Sequence, residues 1–218
     1  RTKRLRDDSH TIGYLRITQF SESVPKKVEE ALQELKEKEV EGLILDLRNN
    51  SGGLVSSGIA VADSLLSEKP VVETKNRNGI KDAIISQKET SFDGPMVTLV
   101  NKGTASASEI LAGSLQDNER SILMGEKTYG KGLIQSLKTL GEDSGIAITV
   151  ASYLTPKGNN IQGQGMTPDK LLDLPDASEY GSADDKWIKN AELFLESLLE
   201  KKEVSVQTIE LNNKETKS

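Results

Sequence analysis

Gly42-Leu43-Ile44-Leu45-Asp46-Leu47 runs directly into Arg48-Asn49-Asn50-Ser51-Gly52-Gly53, and this stretch sets the architecture. Its first half is almost continuously apolar, the pattern of a strand buried on both faces rather than one. Its second half is made of turn formers and closes on two glycines. Leu54 to Leu66 then places Ile59, Ala62, Leu65 and Leu66 on one side of a helix. A doubly buried strand, a tight turn and an amphipathic helix form a βα unit, which belongs to a largely parallel sheet covered by helices.

The same alternation continues in both directions. Upstream, Ile12–Thr18 reads as a strand, and residues 22–40 as a helix with Val24, Val28, Ala31, Leu32, Leu35 and Val40 apolar and Pro25 in its first turn. Downstream, strands are expected at Val71–Thr74, Met96–Val100, Ser121–Met124 and Gly145–Tyr153, with a helix from Ser106 to Asp117. Beyond Pro175 the character changes. Residues 184–202 could carry an amphipathic helix with Trp187, Ile188, Ala191, Leu195, Leu198 and Leu199, and the polar residues from Lys201 to Ser218 are expected to fray. The expected organisation is a short remnant over 1–11, an α/β core over 12–175, and a helix with a polar tail over 176–218.

Composition removes several classes of function. A net charge of −6 argues against a nucleic-acid binder, whose signature is a basic stripe. The absence of cysteine excludes disulfide scaffolds, zinc-thiolate sites and cysteine nucleophiles. A single histidine, His10, excludes a metal site built on two histidines, so no metal is expected. Flanked by Asp7, Asp8 and Ser9, His10 reads as a solvated residue before the first strand, which leaves a Ser-His-Asp triad without its base. No signal peptide or membrane span is visible, and the chain opens at Arg1, so it reads as a fragment.

Four segments could carry chemistry. In Thr104-Ala105-Ser106-Ala107-Ser108-Glu109, Ser106 stands where a strand turns into a helix. It can cap that helix, since Ser-x-x-Glu is a capping box. It can equally be a nucleophile, because helix amides at such a turn favour a developing oxyanion. In Thr128-Tyr129-Gly130-Lys131-Gly132, the lysine is either an exposed loop residue or a base that burial has made neutral. With no credible catalytic histidine, Lys131 is the remaining base for Ser106. Arg48–Gly53 is either a plain turn or an oxyanion hole, where a glycine amide can approach a carbonyl unobstructed. Asp117 closes the Ser106 helix at the end where an acid opposes the helix dipole, which suggests a separate role.

Together these segments resemble the carboxy-terminal processing proteases, also called tail-specific proteases. The likeness runs from Gly13-Tyr14-Leu15-Arg16 through Leu45–Gly53, Val100–Ile110 and Gly125–Gly132 to Gly163-Gln164-Gly165-Met166-Thr167-Pro168-Asp169, in the family's order. The resemblance implies a crotonase-like, ClpP-like core of stacked strand-turn-strand units with helices. It implies Ser106 as nucleophile, Lys131 as base 25 positions on, Gln135 one helical turn further as the residue that holds the lysine, and Asp117 as an accessory acid. Gly52 and Ala107 would supply the oxyanion amides. It also implies that no cofactor is needed, that substrates are proteins with apolar C-termini, and that a PDZ module precedes Ile12 in the full-length protein. The local sequence looks nearest to cyanobacterial and chloroplast members, which trim a photosystem II reaction-centre subunit, so periplasm or thylakoid lumen is the expected compartment. A non-catalytic peptide-binding module and a crotonase-type acyl-CoA enzyme are the other readings of this fold. The retention of Ser106, Lys131 and Gln135 together speaks against the first, and the lack of a clear CoA-phosphate site against the second.

Overall fold

In the computed structural model, residues 2–6, 10–79, 81–87, 89–141, 144–173 and 179–215 are described. The strand read from Gly42–Leu47 is β3 (Gly42–Asp46), buried at every position. It lies inside a six-stranded sheet of order β1-β2-β3-β6-β7-β10, formed by β1 (Thr2–Arg6), β2 (Thr11–Arg16), β6 (Met96–Val100), β7 (Ile122–Gly125) and β10 (Lys170–Leu171). Every pairing is parallel except that of β1 with β2.

The side-chain period of two divides the strands between two cores. Leu43 and Leu45 of β3, with Leu15, Val100 and Leu123, meet α1 (Val24–Glu37), α2 (Val55–Leu65) and α3 (Ala107–Asp117). Ile44, with Ile12, Tyr14, Val97, Leu99 and Met124, meets Trp187, Ile188, Ala191 and Leu195 of α4 (Lys186–Glu215) on the other face. The C-terminal helix is therefore part of the core. The boundary expected at residue 175 lies outside the described residues, and the apolar packing on its far side belongs to the same sheet. Helix α4 also runs to Glu215, through much of the tail expected to fray.

A second, antiparallel sheet of order β5-β4-β9-β8 stands beside the first. It consists of β4 (Pro70–Asn76), β5 (Lys81–Ile85), β8 (Leu133–Gly141) and β9 (Ser144–Leu154). Strands β1, β5, β8 and β10 were not legible in the pattern. β8 mixes apolar and polar positions, and its pairing with β9 slips between Ile134 and Gln135, which erases a regular alternation. His10 also differs from expectation. It is only 5% exposed, with Nδ1 3.3 Å from Glu41 Oε1. Glu41 Oε2 accepts the Thr11 N–H at 2.8 Å, so entry into β2 draws the histidine down against the start of β3.

Candidate active site

Parallel strands β3 and β6 end on one edge of the sheet, which brings the loops after them together. Side chains then bind the two loops to each other. Asn101 Nδ2 donates to Asn49 Oδ1 at 3.0 Å, and Asn101 Oδ1 accepts the Asn49 N–H at 2.9 Å. Thr104 Oγ1 donates to the Leu47 carbonyl at 2.9 Å. The Asn50 carbonyl accepts the Ala105 N–H at 3.0 Å and the Ser108 hydroxyl at 2.9 Å.

Ser106 stands between β6 and α3 with φ 57° and ψ −119°. A non-glycine residue in this region costs roughly 1–3 kcal/mol, and such strain persists only where the surroundings over-determine it. Here the surroundings include Glu109, which is fully buried. Its Oε2 accepts the Ser106 N–H at 2.9 Å, the carboxylate half of a capping box, and also the Lys131 N–H at 2.8 Å. Its Oε1 accepts the Thr128 hydroxyl at 2.5 Å and the Gly130 N–H at 2.7 Å. Two backbone nitrogens sharing one acceptor can be no more than about 6 Å apart. The segments carrying Ser106 and Lys131 are thus clipped together by one carboxylate.

The sequence marks Glu109 as a cap and misses this second set of donors. The available signal is the glycine-flanked Lys131 loop, whose inward N–H groups need an acceptor. The Gly163–Met166 segment supports the loop from beneath. Gly163 N–H donates to the Gly130 carbonyl at 2.9 Å, and Met166 N–H to Thr128 Oγ1 at 2.7 Å.

The other expected site residues fall in different places. Lys131 is exposed, not desolvated as a neutral base requires. Gln135 is also exposed, and it sits on strand β8 rather than one helical turn past the lysine. Gly52 abuts the serine: a Cβ there would lie 2.8 Å from Ser106 Cβ. Its φ of 103° is one that L side chains rarely adopt. Its N–H already donates to Asn50 Oδ1 at 3.0 Å, so this amide is engaged within its own turn. Ala107 is the first residue of α3 and is buried, with an amide that has no intrahelical acceptor. Asp117 is not brought to Ser106. It ends α3, about 16 Å further along the axis, where Oδ2 accepts the Lys157 N–H at 2.8 Å.

Behind the glycine loop lies a buried charged cluster. Arg48 and Asp46 are both fully buried. Arg48 Nε donates to Asp46 Oδ1 at 3.0 Å and Nη2 to Asp46 Oδ2 at 2.7 Å, while Tyr14 Oη donates to the same Oδ2 at 2.7 Å. Burial, and then the Asp46 charge, push the Tyr14 phenol well above its ordinary value. For Arg48 burial alone would lower the pKa, but hydrogen bonds to Asp46 and Asp185 outweigh it and raise it. Toward solvent the site is flanked by Leu54, Tyr129 and Leu133, exposed by 44%, 69% and 38%. An open recess of about 610 Å³ borders Gly53 and Leu54, with Phe20 and Ser21 among its lining.

The profile of peptidase family S41 matches residues 11–172. A carboxyl-terminal-processing protease of Synechocystis sp. is 51% identical over 172 residues, covering 78% of this chain and 40% of that protein. A chloroplastic C-terminal processing peptidase of Tetradesmus obliquus is 45% identical over 164 residues, covering 74% of this chain and 35% of its own length. Among solved structures, the photosystem II D1 C-terminal processing protease superposes with a TM-score of 0.72 at 43% identity, covering 75% of this chain and 42% of that one. The mixed α/β fold described above is thus the S41 protease fold, and the chain spans about two fifths of the length of the first of these relatives.

Proposed function

Since this chain belongs to peptidase family S41, we propose that it is the catalytic core of a serine endopeptidase that processes the C-terminal tails of other proteins. The observation that carries this reading is the Glu109 clip, which holds the segments of Ser106 and Lys131 against each other through one oxygen. Ser106 Oγ attacks the scissile carbonyl carbon, and the Lys131 amine takes the hydroxyl proton. The tetrahedral oxyanion is met by the Ala107 amide and by Gly52, whose N–H must first leave Asn50 Oδ1. Collapse expels the amine of the tail, which takes the proton back from Lys131, and water then hydrolyses the acyl-enzyme. Gln135 is assigned to hold the lysine amine. Because Lys131 is exposed, a bound substrate has to cover it and exclude water for the neutral amine to form. Asp117 acts from the far end of α3 as a clamp on the Lys157 turn.

The exposed apolar trio Leu54, Tyr129 and Leu133 supports a substrate with an apolar tail. By extension from the named relatives, the target is the C-terminal extension of a photosystem II subunit, in the thylakoid lumen or its periplasmic counterpart. A PDZ module elsewhere in the longer protein would capture the tail. Incubation with unfolded proteins bearing apolar tails, read by mass spectrometry, tests the activity. A serine-reactive fluorophosphonate that labels wild type but not Ser106→Ala supports the nucleophile. Binding of tails without cleavage or labelling would make the chain a peptide-binding module instead.

A further inference from the structure

The family match ends at residue 172, yet the chain beyond it returns to the loop that holds Gly52. Asp185, fully buried just before α4, receives Arg48 through two hydrogen bonds, Nη1 to Oδ1 at 3.0 Å and Nη2 to Oδ2 at 2.6 Å. Asp185 is itself fixed by backbone N–H groups of Gly181 at 3.1 Å and Trp187 at 3.2 Å. The Tyr180 ring covers the Arg48 guanidinium at 4.4 Å, and its hydroxyl accepts a hydrogen bond from Asn49 Nδ2 at 2.6 Å. Asn49 has φ 54°, a left-handed conformation three residues before Gly52, and Asn101 grips it from the other side.

We infer that Tyr180 and Asp185 are positioning residues for the oxyanion side of the site: by holding Arg48 and Asn49 they set the backbone that presents Gly52 to Ser106. Asp185 also caps α4, accepting the Trp187 and Ile188 N–H groups, but the helix is seated on the sheet by the apolar side chains of Trp187, Ile188, Ala191 and Leu195, and asparagine at 185 keeps a capping oxygen. A buried ion pair does not generally add stability over apolar residues of equal volume. What a bidentate guanidinium–carboxylate pair adds is direction. Arg48 is gripped on one side by Asp46, two residues earlier in the chain, and on the other by Asp185, 137 residues later. The fork cannot turn, and the turn that leaves it starts from a fixed point.

This inference rests on the serine-protease reading, so its test needs a measurement that does not depend on turnover. Asp185→Asn keeps the shape and an acceptor but removes the charge, and Tyr180→Phe keeps the ring but removes the hydroxyl. Each is compared with wild type for kcat and KM on a tail peptide, and for amide hydrogen exchange across residues 47–54 and across α1. We expect kcat to fall about tenfold in Asp185→Asn and about threefold in Tyr180→Phe, with KM within about twofold. Exchange over residues 49–54 rises while α1 stays as in wild type. Unchanged kcat with unchanged loop exchange overturns the inference. So does a loss of kcat with exchange raised equally in α1, since the pair would then be holding only the fold. If wild type cleaves nothing and labels with no fluorophosphonate, yet loop exchange alone rises in the variants, the positioning stands and the protease reading fails.

Discussion

Glu109 is the residue on which the proposed chemistry turns, and its four donors explain why. Burying a carboxyl group costs its hydration unless hydrogen bonds replace it, and here three N–H groups and a hydroxyl do so. Glu109→Gln puts an NH2 where a carboxylate oxygen accepts two donors. Leaving buried donors unmet costs roughly 1–3 kcal/mol each, and the Lys131 segment is released from Ser106. We expect a melting temperature lowered by several degrees and a kcat reduced about a hundredfold; an active Gln variant would show that the clip is dispensable. Ser106→Ala should abolish cleavage while costing about 1 kcal/mol or less of stability, the usual scale of a cap, and it relieves no backbone strain because alanine also has a Cβ. Lys131→Arg should be as inactive as Lys131→Ala, since a guanidinium cannot give up its proton near neutrality. Substantial turnover by the arginine variant would make Lys131 a positioning charge. Ser106 and Lys131 stand out in the sequence by residue type and setting. That they share an acceptor does not, because a hydrogen bond across 22 residues leaves no periodicity behind.

Among the elements, those with a strong period were legible: β3, α1, α2, β6 and α3 lie within a few residues of their expected spans. The second sheet was only half legible, since most of the described side chains of β8 and β5 are exposed and their pattern follows their pairing partners rather than a core. The turn Arg48–Gly53 was legible as a turn but not as a joint. There Phe20 N–H donates to the Gly52 carbonyl at 2.9 Å, and Leu54 N–H donates to the Phe20 carbonyl at 2.9 Å. Gly53 lies between these bonds at φ 135°, and a Cβ on it would come 2.1 Å from the Phe20 carbonyl oxygen. Neither backbone can yield without breaking the pair. Gly53→Ala should therefore cost more than about 2 kcal/mol, above the ordinary penalty for alanine at positive φ. Chemical denaturation of this variant checks the figure, and a loss below about 1 kcal/mol would mean that the joint flexes.

At the scale of the whole molecule, one sheet serves two cores, and the charged cluster beneath the glycine loop ties the residue just before α4 to the loop that leaves β3. Burial by itself would raise the Asp185 carboxyl, but Arg48 hydrogen bonds, the Gly181 N–H and the Arg48 charge outweigh it and hold it below the ordinary range. A carboxyl depressed by folding adds stability that is fully present above its unfolded pKa, near 4, and is lost as pH falls through the folded value. Melts of wild type and Asp185→Asn should thus converge as the pH is taken below about 4, and a gap that stays constant would show that the charge is not its source. The apolar half of the same interface contributes more. Trp187, Ala191 and Leu195 are fully buried and Ile188 is 4% exposed, all against Ile44 and its neighbours on the sheet. Burying each large side chain is worth roughly 1.5–3 kcal/mol, so three of them supply about 5–9 kcal/mol. A domain's entire stability is about 5–15 kcal/mol. Removing residues 186–218 would also lay bare Ile12, Tyr14, Ile44, Val97 and Leu99, an apolar face that no other helix covers among the described residues. Although the family match stops at residue 172, a chain cut before Lys186 should show no cooperative melt and should aggregate. A cut after Lys202 spares those contacts and should melt near wild type. If the shorter chain instead melts cooperatively at the wild-type temperature, α4 is an appendage and the sheet closes its second face by other means.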